Sequence, residues 1–123
     1  MSKSIKHILK KDLVIKVGGK LWLESEGERF FGPGPLELLE KIEETGSIRN
    51  AAKAMNMSYK KAWELINHLN GQTNFPIVIP QTGGEKGGGS TLTSEGMELI
   101  KYYKVLRKPF KTFLENESER LKI

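Results

Sequence analysis

The chain has 123 residues and a mass of 13.9 kDa, is 37% hydrophobic and 28% charged, and contains no cysteine and two histidines, His7 and His68. That length fits one compact domain able to sustain a core without disulfides or a structural metal. The residue inventory excludes thiolate zinc sites, a cysteine nucleophile and a histidine-rich metal centre, so no metal or other cofactor is expected. The formal charge of +5 is laid out unevenly: +5 over residues 1–20, −5 over 21–46, +6 over 47–111 and −1 over 112–123. Such a layout can fold into an object with one positive face, the electrostatic footprint of a phosphate-backbone binder. No apolar run approaches the roughly 20 residues of a membrane span. The Lys-rich start lacks the apolar stretch of a secretory signal, so no membrane partner and a cytoplasmic location are expected.

Residues 13–24 and 29–31 are rich in β-branched and aromatic residues, with turn signals at Gly18-Gly19 and Ser25-Glu26-Gly27-Glu28. They predict two or three short antiparallel strands, a hairpin over residues 12–31. Pro35 suits the first turn of a helix in which Leu36, Leu39 and Ile42 form an apolar stripe, stopped at Thr45-Gly46. Ser47 is placed as the N-cap of a second helix with Ile48, Ala51, Ala52 and Met55 inward. After the Asn56-Met57 connection, Ser58 caps a third from Tyr59 to about Asn70. In that helix Ala62, Leu65, Ile66 and Leu69 follow the helical repeat and Lys60, Lys61, Glu64, Asn67 and His68 fall on the other side.

Residues 75–80 predict a strand, and a loop with five glycines between Gly83 and Gly89 leads to a second extended step at Thr91-Leu92, making a hairpin. Thr93-Ser94-Glu95 opens a long helix on which Leu99, Tyr103, Leu106, Phe110 and Phe113 are spaced 4, 3, 4, 3, the seam of a helix that faces a partner helix. Pro109 is expected to kink or break it, and the tail after Leu114 to fray.

Helices, turn, helix, hairpin, helix is the order of a winged helix-turn-helix: an α+β, mostly helical single domain over residues 1–123. The helix-turn-helix and wing occupy 35–93 and a dimerisation helix 94–114. In this geometry the exposed start of the third helix enters a major groove and the basic hairpin lies beside it. Lys60 and Lys61 would meet guanine edges or phosphate, Ser58 a phosphate, and Tyr59 and Glu64 the same groove. Ser47, Arg49 and Asn50 would clamp the backbone, and Lys86, Gly87, Gly88 and Ser90 would form the wing contact. The plainer alternative for Lys60, Lys61 and Glu64 is a solvated face with one weak ion pair. Trp22 and Trp63 are expected in the core. The glycine loop lacks the Gly-Lys-Ser/Thr ending of a nucleotide-binding loop, and no nucleophile, base or carboxylate pair converges, so catalysis is not expected.

Several runs carry a specific resemblance: Leu21-Trp22-Leu23-Glu24, Phe31-Gly32-Pro33-Gly34, Glu43-Glu44-Thr45-Gly46-Ser47-Ile48, Ala51-Ala52, Met57-Ser58-Tyr59-Lys60-Lys61-Ala62-Trp63, Thr82-Gly83-Gly84, Gly87-Gly88-Gly89 and Leu92-Thr93. Over about residues 14–108 the chain resembles the N-terminal DNA-binding domain of molybdate-responsive transcriptional regulators of the ModE type. The resemblance implies a winged helix related to the LysR-type domain, working as a homodimer on double-stranded promoter DNA. Arg49-Asn50 stands where that family would have small residues, and Pro109 interrupts the long helix. In the family a separate C-terminal region of small β-barrel modules binds molybdate. This chain ends about 15 residues after Arg107-Lys108, and molybdate is not expected to bind it. The function expected is sequence-specific DNA binding in transcription regulation. The alternative is a winged helix that docks an acidic protein partner.

Overall fold

A computed structural model describes residues 4–81 and 89–122. After a single 3-10 turn at Lys6–Ile8, the elements are β1 (Leu23–Ser25), β2 (Glu28–Phe31), α1 (Pro33–Thr45), α2 (Ile48–Ala54), α3 (Tyr59–Gly71), β3 (Val78–Gln81), β4 (Gly89–Leu92) and α4 (Ser94–Arg120). Strands β1 and β2 form one antiparallel hairpin and β3 and β4 another. This is the winged helix-turn-helix that the sequence predicts.

The first hairpin is shorter than expected. Only residues 23–31 pair, with Leu23 opposite Phe31, Glu24 opposite Arg29 and Ser25 opposite Glu28. Glu26 and Gly27 both have positive φ, 52° and 82°, which is the mirror-image turn that matches strand twist. Residues 13–22, rich in strand formers, join no ladder. They run along α4 instead: the Val17 N–H donates to Ser118 Oγ at 2.8 Å, and Gly19 lies so close to Phe110 that an added Cβ would stand 3.1 Å from its ring. Packing on a helix replaces pairing with a strand.

Helix α1 starts at Pro33, two residues before the predicted proline, and ends at Gly46, whose φ of 70° supplies the left-handed cap as its N–H donates to the Ile42 carbonyl. Its Leu36, Leu38, Leu39 and Ile42 are buried together with Ile48, Ala51 and Ala52 of α2, Ala62, Ile66 and Leu69 of α3, and Phe31, Ile77, Val78, Ile100 and Tyr103. Ser47 and Ser58 cap α2 and α3 as expected: each Oγ accepts from the backbone N–H three residues on, at 3.1 Å from Asn50 and 3.0 Å from Lys61. Asn70 brackets the end of α3 onto β3, its Oδ1 accepting from the Ile77 N–H at 2.7 Å. Thr93 caps α4 by accepting from the Gly96 N–H, and its own hydroxyl donates to the Pro76 carbonyl at 2.7 Å.

Three expectations about α4 are corrected. The helix is not broken at Pro109, and the residues after Leu114, expected to fray, continue it to Arg120. The missing amide would have served the carbonyl of Val105, a residue 67% exposed, so water can take its place, while the contacts of Val17 and Gly19 hold the helix beyond the proline. Tyr103, expected at a dimer seam, is fully buried in its own domain. Its ring meets Phe31 edge to face at 5.3 Å, and its hydroxyl donates to the Leu21 carbonyl at 2.8 Å. Tyr103 therefore joins α4 to the first hairpin through Phe31 and to the N-terminal segment through the Leu21 carbonyl. Trp22 also departs from the core: half-buried on the hairpin, it carries the Arg29 guanidinium 3.5 Å over its ring and donates from Nε1 to Glu24 at 2.7 Å.

Burial pushes the Tyr103 phenol above its ordinary value near 10, with the charge of Arg107 opposing. Because the folded value lies above the unfolded one, the neutral phenol's contribution to stability is complete below about pH 10 and is lost as pH rises through the folded value. Tyr103→Phe is expected to cost about 1 kcal/mol at pH 7. The gap between parent and variant in urea unfolding should narrow above pH 10.

Candidate nucleic-acid interface

The face of α3 opposite its buried stripe carries Lys60, Lys61, Glu64 and Asn67, all exposed. Helical spacing puts them there, because Ala62, Ile66 and Leu69 take the inward positions. At the start of α3 the cap leaves first-turn amides without intrahelical acceptors, so their positive ends point outward beside the two lysines. The turn before it is sharp: Asn56 adopts a left-handed φ of 53°, a conformation that asparagine tolerates, and the Met57 N–H donates back to Ala52 at 3.0 Å. This turn sets the start of α2 next to the start of α3.

That juxtaposition shows in the side chains. The Arg49 guanidinium lies 4.5 Å from the centre of the Tyr59 ring, and Tyr59 stands edge-on to Trp63 at 6.3 Å. Arg49 and Asn50 are exposed while Ser47 is partly covered. The stack holds the arginine in place before any ligand arrives. Both aromatic positions are visible as an i, i+4 pair on α3; the arginine that stacks on Tyr59 comes from another helix, and nothing in local spacing announces it. Residues 47–71 hold Arg49, Lys53, Lys60 and Lys61 against Glu64 alone, whereas α1 holds Glu37, Glu40, Glu43 and Glu44 against Lys41. The domain thus has a basic edge and an acidic edge, and α3 lies on the first.

The second hairpin pairs Val78 with Leu92 and Gln81 with Gly89, and Asn70 ties its start to the last turn of α3. Ser90, expected among the ligand-facing residues, is instead buried, and its N–H donates to the Gly46 carbonyl at 2.9 Å. It fastens the hairpin base to the end of α1. The expected contacts of Lys86, Gly87 and Gly88 lie outside the described residues.

The description "Bacterial regulatory helix-turn-helix protein, lysR family" matches residues 34–97, more than half of the chain, from the start of α1 to the first turn of α4. The chain belongs to the LysR family of bacterial regulatory helix-turn-helix proteins. It is 41% identical over 86 residues to the "Molybdenum transport protein ModE" of Azotobacter vinelandii, covering 70% of this chain and 32% of that one. It is 40% identical over 86 residues to the "DNA-binding transcriptional dual regulator ModE" of Escherichia coli, covering 70% and 33%. With the "Molybdenum-pterin-binding protein MopB" of Rhodobacter capsulatus the identity is 41% over 81 residues, 66% of this chain and 30% of that one. The chain spans about a third of the length of these relatives. Membership agrees with the resemblance carried by the sequence motifs, and it is a regulator family.

The stack gives a test of this face. Tyr59→Phe keeps the ring under Arg49 and should leave duplex-DNA affinity within about twofold. Tyr59→Ala frees the arginine and should weaken binding severalfold, in line with a cation–π contact of about 0.5–1 kcal/mol at an exposed site. Fluorescence anisotropy on a labelled duplex, with circular dichroism to confirm helix content, separates the two.

Proposed function

We propose that this chain is a sequence-specific double-stranded DNA-binding module of a transcriptional regulator, acting as a homodimer. The observation that carries the proposal is the free, basic, N-capped face of α3, with Arg49 held against its first turn. Lys60 and Lys61 reach base edges or phosphates in the major groove and Ser58 a phosphate at the helix start; Arg49 and Asn50 clamp the adjoining backbone. The printed description of the Escherichia coli relative as a DNA-binding regulator supports this.

The dimer rests on α4. Leu99 is partly covered by its own core, and Leu106 and Phe110 are half-buried. Tyr102, Val105 and Phe113 stand 58%, 67% and 57% exposed, and with Pro109 they occupy one side of the helix at spacings of 3, 4 and 4. An apolar stripe of that length on a soluble domain is most simply covered by a second copy about a two-fold axis. Two recognition helices then meet successive major-groove faces about 34–36 Å apart, and the operator is an inverted repeat.

Lys60→Ala and Lys61→Ala are expected to fold normally, since both side chains lie off the buried stripe, and to bind DNA less well. A base-contacting lysine costs ~1–3 kcal/mol and relaxes preference at one base pair; a phosphate-contacting one weakens all sequences alike and lowers the salt slope by about 0.9. Anisotropy titrations at several salt concentrations measure both, and unchanged binding in both variants would refute the recognition helix.

Uptake of molybdate is not part of the proposal. One groove among the described residues includes Glu95 and Glu98, and another Glu37, Glu40, Glu43 and Glu44 with Lys41; clustered carboxylates repel a dianion. Calorimetry of this chain with molybdate should show no stoichiometric heat at micromolar concentrations.

A further inference from the structure

Between the end of α3 and the start of α4 lies an open groove of about 450 Å³. Its apolar wall is Phe75, Ile77, Leu99 and Tyr102; its rim carries Glu95 and Glu98, with no lysine or arginine among the lining residues. Phe75 is 61% exposed, which is a large aromatic surface for a domain that buries Phe31 completely.

The N-terminal arm has the complementary character. Lys6, Lys10 and Lys11 alternate with Ile5, Ile8 and Leu9, and a 3-10 turn at Lys6–Ile8 sets Ile5 and Ile8 out into solvent. We propose that the groove seats this basic arm, Ser4–Leu13, from a second copy of the chain. The proposal rests on the dimer reading above and adds a contact that α4 pairing alone does not supply.

The geometry favours exchange over self-docking. The Val17 N–H is held at Ser118, near the C-terminal end of α4, whereas the groove involves Glu95, Glu98 and Tyr102 near its start. Twenty residues of helix separate Glu98 from Ser118, about 30 Å. To reach its own groove the arm would have to double back and run almost fully extended. In an antiparallel pair centred on the exposed stripe, near residues 107–108, Tyr102 falls opposite the partner's Phe113 and Glu98 opposite the partner's Glu117. The partner's Val17, held at its own Ser118, thus lies at the level of this chain's groove but on the side of its helix turned away from the stripe. Residues 13–16, about 13 Å when extended, are long enough to carry the arm round a helix of about 10–12 Å diameter into the groove. Lysines meet the two carboxylates while Ile5 and Ile8 cover Phe75 and Tyr102. Tyr102 belongs both to the stripe and to the groove, so the two surfaces are continuous.

The natural chain has no cysteine, so introduced thiols report contacts without background. Ile8→Cys and Glu98→Cys, both at exposed positions, are mixed and oxidised; a disulfide-linked heterodimer is expected, while the chain carrying both substitutions links between copies and not within one. Sedimentation of the Lys6→Glu/Lys10→Glu variant should show dimerisation weakened at least about tenfold, since a two-fold pair has two grooves and so four exposed ion pairs turned repulsive, and Glu95→Lys/Glu98→Lys added to it should restore the dimer. A dimeric parent without the cross-link overturns the arm exchange and leaves the α4 dimer standing. An intrachain disulfide in a monomer shows that the arm folds onto its own groove, which also overturns it. A monomeric parent refutes the dimer itself.

Discussion

The rest of the structure depends on the contact between α2 and α3, where Ala51, Ala52 and Ala62 are buried to the last few per cent. Small side chains let the two helix backbones approach closely, and Leu38, Leu39 and Ile42 of α1 close the third side. A larger residue at any of the three alanines would push α3 outward and separate Arg49 from Tyr59. Because the apolar residues of α3 are consumed inward, its polar residues have nowhere to go except solvent. The polar outer face of α3 is therefore a by-product of core packing, and its chemistry is free to vary without cost to the fold.

A second set of ties fixes what surrounds that face. The Gly46 carbonyl, left over at the left-handed end of α1, accepts from Ser90 and anchors the hairpin. Thr93 and Asn70 bind the ends of α4 and α3 to the Pro76–Val78 segment. At Gly96 an added Cβ would lie 2.7 Å from the Ile77 carbonyl, so only glycine lets α4 start this close to the hairpin. These contacts are few and specific, and they orient the wing relative to α3 without adding much buried surface. The Lys104–Glu40 pair at 2.6 Å joins α4 to the acidic edge on the far side.

Much of this was legible in the sequence because it is local. Capping serines, the inward alanines and the four-residue apolar repeat of α3 depend on neighbours within one or two turns, and both caps and the buried stripe stand as those residues imply. What the sequence concealed depends on residues far apart along the chain. Residues 13–22 have strand composition but pack on α4, over a hundred positions away at Val17 and Ser118. Tyr103 keeps the spacing of an outward seam, yet Phe31 and Leu21 claim it. Pro109 reads locally as a break, and tertiary contacts beyond it override that preference. Ser90 looked like part of a wing tip because glycines precede it, but its backbone was needed at Gly46. The Arg49–Tyr59 stack has the same character: each residue was singled out, and their joining depends on the left-handed turn at Asn56.

In the function proposed, the outer face of α3 and the start of α2 form one surface for duplex DNA. Amide chemical shifts of the isotope-labelled chain, followed as an inverted-repeat duplex is added, test it most directly. The largest changes are expected at Ser47–Asn50 and Ser58–Glu64, with Ala51, Ala52 and Ile66 in the core moving little. Changes centred on Glu37–Glu44 or on the groove at Phe75 and Glu98, with α3 unmoved, would contradict it.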